Sequence, residues 1–487
     1  MHKSIVEAVL SHGAETPEKT AIADAKTSYS YSELCLGIYR TAEWLSSHGV
    51  NEGDCVLVEC TQDTFYLILD MACELTGAVF VPFEKNAARD RISGIFSETA
   101  ACCIIAASDC SDIGRYYSAE TVKNEAALSE GAVRTCKAEP GAAEILFTTG
   151  TTGMPKGIII SHRANVAVAE NICAGVKMSS GSVELIPLPL SHSHGLRTCY
   201  AGLLNGSTCV ILDGIMNIPL FFNMIEKYGV NAVDISPTLA KLLLKIAGKG
   251  LRKYADRIDY IEIGTAALGE DVKAQLKEIF PKTRLYNFYG STEAGRICAL
   301  DFNEFDGSGC IGYPAVNAEF YIVDDDRNVI HSSQSDPGLI AVSGRMLMDG
   351  YLNSEELTRS TVSEGILYTS DIGYFDEEGR LYLIGRKGFV INYKGIKISP
   401  EEIEDAAIKF EGIADCACVP VNDDICGQVP KLFVCMAEGA DFDKQAIIRH
   451  LKNNLEANRI PAYIEVIGNI PRSSTGKLLR KELMNEK

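Results

Sequence analysis

Ile145–His162 reads ILFTTGTTGMPKGIIISH, and the fold class follows from how this stretch divides. Ile145-Leu146-Phe147 predicts a short buried strand, and Ile158-Ile159-Ile160 predicts a second. Between them lie Thr148, Thr149, Gly150, Thr151, Thr152 and Gly153, then a turn at Met154-Pro155-Lys156-Gly157. Glycines let successive backbone N–H groups converge on an anion, hydroxyls add donors, and Lys156 adds charge. The pattern is not the Walker phosphate loop, in which a helix starts at the lysine. Here a proline precedes the lysine and a strand follows it. An ordinary Gly/Thr-rich hairpin turn has the same composition, so the stretch alone leaves both readings open.

The chain has 487 residues, more than one ordinary domain, and 46% of them are hydrophobic, as in a globular protein. Lys and Arg total 46 against 65 Asp and Glu, a formal charge of −19. No long basic run offsets this, which argues against nucleic acid or an anionic membrane as the main partner. The 17 cysteines are an odd number, scattered without any C-x-x-C pair. That argues against a zinc site or a disulfide scaffold and for reduced thiols in a cytoplasmic protein. The opening MHKSIVEAVLSHGAE lacks the apolar core of a signal peptide, and no run is long enough to span a bilayer.

Outward from the phosphate-loop stretch, helix and strand patterns alternate. Ser30 and Glu33 predict a capping box opening an amphipathic helix that Gly49 closes. A strand at Val56-Leu57-Val58 follows, then helix 64–75, strand 78–81, helix 88–97 and strand 101–106. The middle continues with helix 221–228, strand 232–235, helix 238–246 and strand 260–263. Such alternation predicts a parallel α/β sheet. After about residue 300, short strands between turn clusters predict a β-rich subdomain. The last hundred or so residues predict a small α+β unit, opened by Ser399-Pro400-Glu401-Glu402 as a capping box with proline at the first helical position. Polar, glycine-flanked Gly385-Arg386-Lys387-Gly388 suits a hinge better than a core strand, giving domains 1–385 and 386–487.

Five segments, in order, resemble the AMP-forming adenylating superfamily of acyl-CoA synthetases, firefly-luciferase-like enzymes and peptide-synthetase adenylation domains. They are Thr148–Gly157; Pro189–Leu196 (PLSHSHGL); Tyr289-Gly290-Ser291-Thr292-Glu293, preceded by Gly264-Thr265-Ala266-Ala267-Leu268; Tyr368–Arg386; and Ile470–Lys477 (IPRSSTGK). The resemblance implies a large α/β domain with a β-rich subdomain and a small mobile C-terminal domain. It implies ATP, Mg²⁺ and CoA as ligands, and an activity in which a carboxylate attacks the α-phosphorus of ATP, pyrophosphate leaves and an acyl-adenylate remains.

The resemblance also distributes the roles. Thr148, Thr149, Gly150, Thr151, Thr152 and Lys156 would hold the β- and γ-phosphates. Glu293 would bind Mg²⁺, with Thr292 beside it among the catalytic residues; a hard cation prefers such oxygen ligands. Tyr289, Gly290, Ser291 and the Gly264, Thr265, Ala266 backbone would form the adenine slot, with Ala267 where the family usually has proline. Asp371 would accept the ribose hydroxyls, although Ser370 replaces the usual glycine before it, and Arg386 would contact the ribose–phosphate region. Lys477 would bridge the attacking carboxylate and the α-phosphate. Gly388 stands at the hinge position, often Asp or Lys, and Lys394-Gly395 match the segment that lines the pantetheine tunnel of acyl-CoA synthetases.

For the acyl pocket, the resemblance makes His192 the gate and places Ser193 where amino-acid-activating relatives carry an aspartate, which argues against an α-amino acid. With no third ligand nearby, His192 and His194 do not suggest a metal site. Arg197, in an otherwise apolar segment, is open to two readings: a partner for a second anionic group on the substrate, beside His192, Ser193 and Gly264, or a structural pair with a buried acid. The expected function is an acid–CoA ligase. The alternatives are an enzyme that loads a carrier protein's phosphopantetheine and a non-catalytic nucleotide sensor. A sensor would require loss of a catalytic residue, and Glu293, Asp371 and Lys477 are all present.

Overall fold

The structure, a computed structural model, describes residues 2–131, 141–149, 155–305, 307, 309–394, 396–423, 425–472 and 478–485. Among them three sheets form, of 14, 7 and 5 strands. The largest begins as a parallel α/β sheet, in which strands Ala232–Ile235, Tyr260–Ile263 and Arg284–Ser291 run side by side. Arg284–Ser291 is where the topology changes: its other neighbour, Gly295–Asp301, is antiparallel. From there the strands continue as an antiparallel run through Cys310–Pro314, Leu381–Arg386, Ile366–Phe375, Gly338–Gly344 and Ala318–Val323. The β-rich region expected after residue 300 therefore extends the central sheet instead of standing apart from it.

In the second sheet, strands Val79–Phe83, Cys55–Glu59 and Cys103–Ala106 are parallel neighbours. The hairpin Ala142–Thr149 and Pro155–Ser161 lies at one side, with Val79–Phe83 pairing Ala142–Thr149. Helix Thr64–Thr76 is buried at every residue, and its first turn is capped by Asp63, which accepts from Tyr66 N at 3.0 Å. The main apolar cluster unites residues of both sheets with this helix and with helices Tyr31–Ser47, His162–Val176 and Ser193–Leu204. The two large sheets thus share one core and make one large domain.

Local signals act as expected where both partners are close in sequence. Ser30 Oγ accepts from Glu33 N, while Ser30 N donates to Glu33 Oε2 at 2.7 Å, completing the capping box of helix Tyr31–Ser47. Trp44 of this helix is buried, stacks on His48 at 3.9 Å between ring centroids and donates from Nε1 to Glu125 at 2.8 Å. The second predicted capping box does not form. Ser399 precedes helix Pro400–Ala407, but its hydroxyl donates to Glu401 Oε2 at 2.8 Å instead of capping a backbone N–H. The segment at 385 also departs from expectation, since Gly385 and Arg386 still belong to a strand. Asp371 pairs with Arg386 in register, and Lys387 N donates to Ser370 O at 2.6 Å.

The small C-terminal domain is a sheet with Gly427–Met436 between Ile413–Asp423 and Tyr463–Val466, covered by helices Pro400–Ala407 and Lys444–Asn454. Inside it Arg480 is buried, pairs with Glu401 and Glu404, and donates to Cys418 O at 2.8 Å. The described cysteines are free thiols. Among the described residues no helix is long and apolar enough to cross a membrane.

Where the domains meet, a Cβ built on Gly269 would lie 3.6 Å from Asp405 Oδ1. Burial, and then the charges of Glu270, Glu404 and Asp271, push the Asp405 carboxyl up to about 7, with Lys273 pulling the other way. The docked form therefore keeps a proton that the separated form releases at lower pH. Docking is most favourable below the ordinary aspartate range and weakens as pH rises to about 7. Small-angle scattering across that window is expected to show the chain opening with rising pH, and Asp405→Asn should flatten the response. An unchanged pH profile in the variant would exclude this contact as the cause.

Candidate active site

The candidate site lies where the parallel strands end, the usual binding edge of an open α/β sheet. Tyr289, near the end of Arg284–Ser291, donates its phenol to Asp371 Oδ2 at 2.6 Å. Arg386 Nε donates to Asp371 Oδ1 at 3.0 Å, so both carboxylate oxygens are engaged. Burial and then the adjacent Asp371 charge push the Tyr289 phenol far above its ordinary range, which keeps it a donor. For Arg386, burial works against the charge, but Asp371 outweighs it and raises the guanidinium further.

A second group adjoins the first. Glu293 accepts from Tyr351 Oη at Oε1, 2.9 Å away, and its backbone carbonyl accepts from Met348 N at 2.8 Å. Tyr351 is held by the hairpin of the opening stretch: it pairs with Ile158, and Leu352 N donates to Gly157 O at 2.8 Å. The same hairpin pairs Thr148 with Lys156, whose Nζ lies 5.7 Å from the centre of the Tyr351 ring. A carboxylate, a phenol and an ammonium group are thus lined up at the end of the hairpin where Thr148 pairs with Lys156.

A third group is built from Gly264, just after strand Tyr260–Ile263, and from helix Ser193–Leu204. A Cβ on Gly264 would lie 2.3 Å from His194 Cε1, so only glycine admits that ring. Thr265 has φ +81, and Thr265, Ala266 and Ala267 are exposed. His192 immediately precedes the helix, with Nε2 3.5 Å from Glu84; burial lowers its pKa, Glu84 opposes that, and Arg91 adds to it.

Residues 10–352 match the model of the AMP-binding enzyme family, and residues 402–477 match that of the AMP-binding enzyme C-terminal domain. The chain belongs to the AMP-binding enzyme family. It is similar to 4-coumarate–CoA ligase 2 of rice, Oryza sativa subsp. japonica, with 28% identity across 99% of this chain and 92% of the relative. The 4-coumarate–CoA ligase of Vanilla planifolia is 32% identical over 70% of this chain and 64% of its own length. Among solved structures, ATP-bound MatB from Rhodopseudomonas palustris superposes with a TM-score of 0.88 at 21% identity, covering 99% of this chain and 98% of that one. The o-succinylbenzoate coenzyme A synthetase MenE from Bacillus subtilis, in complex with ATP and magnesium ion, gives 0.87 at 23% identity, covering 98% and 99%. The fold is therefore that of adenylate-forming enzymes, with a large N-terminal and a small C-terminal domain.

In this AMP-binding enzyme, Tyr289, Asp371 and Arg386 meet, and so do Lys156, Tyr351 and Glu293. Gly290 and Ser291 lie between them on the strand, and Thr292 follows. Gly150, Thr151, Thr152, Gly395 and Lys477 lie outside the described residues, as does the side chain of Thr149. Lys394 is in the small domain, φ +51, with its backbone N–H donating to Cys426 O at 2.8 Å; no hydrogen bond joins it to the Asp371 group among the described residues.

Of the two readings left open for Arg197, the acyl-pocket one is corrected. Its side chain is buried in the shared core, where it pairs with Glu144 and lies over the Tyr200 ring, while Tyr200 donates to Asp70 at 2.8 Å. The helix turns it towards the hairpin strand Ala142–Thr149, so the structural pairing is the one the fold uses. Two participants were not read from the sequence. Tyr351 ends the two-residue strand Gly350–Tyr351, an unremarkable stretch of sequence 58 residues from Glu293. His194 stands in a quoted segment, but its partner Asp234 lies 40 residues on, in a strand that reads as merely apolar.

Proposed function

We propose that this AMP-binding enzyme joins a carboxylic acid to coenzyme A through an acyl-adenylate, consuming ATP and releasing pyrophosphate and AMP. The observation that carries the reading is that Tyr289, Asp371 and Arg386, on the largest sheet, adjoin Glu293, Tyr351 and Lys156, the last two on the second sheet, closely enough for the Glu293 charge to act on Arg386. Asp371 accepts the ribose hydroxyls, Tyr289 and the Gly264–Ala266 backbone flank the base, and Arg386 reaches the ribose–phosphate side. Lys156 and the loop Thr148–Thr152 hold the terminal phosphates. Charge neutralisation and alignment dominate such a reaction, because two anions must meet.

Mg²⁺ fits this donor set. Glu293 Oε2 has no partner among the described residues, and among them no cluster of three His, Cys, Asp or Glu could form a complete metal cage. Glu293 would hold the ion together with phosphate oxygens, the usual arrangement for Mg²⁺, and the ion would neutralise phosphate charge. Lys477 bridges the attacking carboxylate and the α-phosphate, with Thr292 close by, and His192 with Ser193 borders the acyl entrance.

The second half-reaction needs a moving small domain. We place the domains at 1–385 and 386–487, with Gly388 as the hinge. Its φ of +94 already lies in the region glycine tolerates best, and a Cβ there would meet nothing within 4 Å. Lys394-Gly395 then line the path of the CoA thiol. Relatives named as CoA ligases favour CoA over a carrier protein as acceptor.

The test is mass spectrometry of products from a panel of carboxylic acids with ATP and Mg²⁺, with and without CoA. Acyl-CoA masses are the expected result. AMP esters that go on to a thioester only when a phosphopantetheinylated carrier protein is supplied would replace CoA as acceptor. No product from any acid would overturn the ligase reading.

A further inference from the structure

Consecutive side chains of a strand point to opposite faces of the sheet, so neighbouring cysteines in an extended run keep their sulfurs apart. Cys102 and Cys103 break that rule. Their Sγ atoms lie 3.8 Å apart, and both side chains pack against the main apolar cluster. The cause is local. Helix Arg89–Thr99 ends at Ala100, whose φ of +48 turns the chain sharply, and the strand starts only at Cys103. Cys102 N donates to Cys55 O at 2.9 Å, which holds the bend against the sheet, while Cys103 stands in register with Val56.

Two further thiols stand close enough to act on this pair, Cys55 on the neighbouring strand and Cys73 on helix Thr64–Thr76. Gathered thiols suggest a metal first. Among the described residues, however, no three of Cys, His, Asp or Glu converge closely enough to hold an ion. The geometry provides a dithiol, and its two sulfurs differ. Contact with Cys102, and then burial, push the Cys103 thiol far above its ordinary range, so it keeps its proton. Cys102 is half-buried; contact with Cys103 lowers its thiol, burial and Asp54 oppose that, and Arg115 assists. Burial, with Cys102 and Asp54 adding to it, pushes the Cys55 thiol up to about 11, and burial raises Cys73 as well. Of the four sulfurs, Cys102 is the nucleophile.

We propose that Cys102 and Cys103 are a peroxide-sensitive modification site, a dithiol that closes reversibly to a vicinal disulfide. The Cys102 thiolate attacks one oxygen of hydrogen peroxide, the O–O bond breaks, and the departing hydroxide takes up a proton and leaves as water. Sulfur is oxidised to a sulfenic acid while peroxide is reduced. The Cys103 sulfur then attacks the sulfenic sulfur, the S–O bond breaks, and the hydroxyl leaves with the Cys103 proton as a second water. Neighbouring Cα atoms are about 3.8 Å apart across a trans peptide, below the usual span of a disulfide, so the ring is tight and readily reopened by a thiol such as glutathione. The pair lies where strands Cys55–Glu59 and Cys103–Ala106 begin, whereas Thr148 lies near the end of Ala142–Thr149, which runs the same way. Oxidation is therefore separate from the phosphate-loop edge, and the proposal is independent of the ligase reading.

The test exposes the full-length protein to equimolar hydrogen peroxide and alkylates the remaining thiols. It then reduces the protein and labels the released thiols with an isotopically heavy alkylating agent. Peptide mapping should place the heavy label on Cys102 and Cys103 together, and incubation with reduced glutathione before the first alkylation should abolish it. Cys103→Ala should leave a Cys102 sulfenic acid that dimedone traps, while Cys102→Ala should leave Cys103 without heavy label. Cysteine packs here as a small hydrophobe, so alanine disturbs the core little. Heavy label shared between Cys102 and Cys55, label on other cysteines in preference to this pair, or no label on either would each overturn the proposal. The parent protein carries the deciding label, so a variant that misfolds leaves the test intact.

Discussion

Arg296→Met is expected to cost about 3–5 kcal/mol of stability, the range for breaking a buried ion pair from one side. The guanidinium is only 4% exposed and lies over the Phe288 ring at 5.0 Å. It is the cation that faces Asp234 and Glu262 together. Methionine fills much of the same volume, so packing changes little, but two carboxylates lose their countercharge inside the sheet. One of them must take up a proton or draw in water, and either response costs free energy. Urea denaturation of parent and variant checks this, and a loss below about 1 kcal/mol would contradict it. Adding Glu262→Gln to the variant should recover part of the loss, because the uncompensated charge is then gone. No recovery would mean that packing, not charge, sets the cost.

Lys477→Ala should lower acyl-adenylate formation by about two to three orders of magnitude, the effect of removing a key transition-state charge. It should leave CoA capture of a supplied acyl-adenylate largely intact, because the proposed domain rotation carries Lys477 away before the thiol attacks. The residues on either side are well anchored: Arg472 bridges to Leu478 and binds Asp415 at 2.8 Å, and Arg480 is buried. Alanine therefore removes charge without unseating the small domain. Single-turnover measurement of the two half-reactions separates the outcomes. Equal losses in both would assign Lys477 a structural role.

Sequence reading succeeded where the deciding partners are neighbours along the chain or recur with a period. The Ser30–Glu33 box spans one helical turn, and the alternation of strands and helices up to Ile263 follows from apolar runs and their spacing. It failed where a distant residue casts the deciding vote. Gly385-Arg386 reads as loop, yet Asp371 and Ile372 pair with it as strand, which leaves the proposed hinge to Gly388. Arg197 could have faced either way, and Glu144, contributed by another sheet, settles its direction. Ser399 has the residues of a capping box, yet Glu401 competes for its hydroxyl. In the candidate site the motif residues Tyr289, Glu293, Asp371 and Arg386 were legible as types, but not the Tyr351 hydroxyl that ties Glu293 to the hairpin. The acids at 184, 234 and 262 were hardest to read, because each is a lone polar residue in an apolar strand and only the register gathers them.

Trp44 is the chain's single tryptophan, and it sits far from these questions in every sense. Its indole stacks on His48, meets Tyr117 edge-on and is hydrogen-bonded to Glu125. Intrinsic tryptophan emission from this protein therefore comes from one place, the seam between helices Tyr31–Ser47 and Ala119–Ala126. An imidazole in face contact is a natural quencher, so separation of that seam should brighten the signal. The proposed rotation of the small domain would leave the seam untouched and be dark to it, so a probe of that motion has to be introduced on purpose.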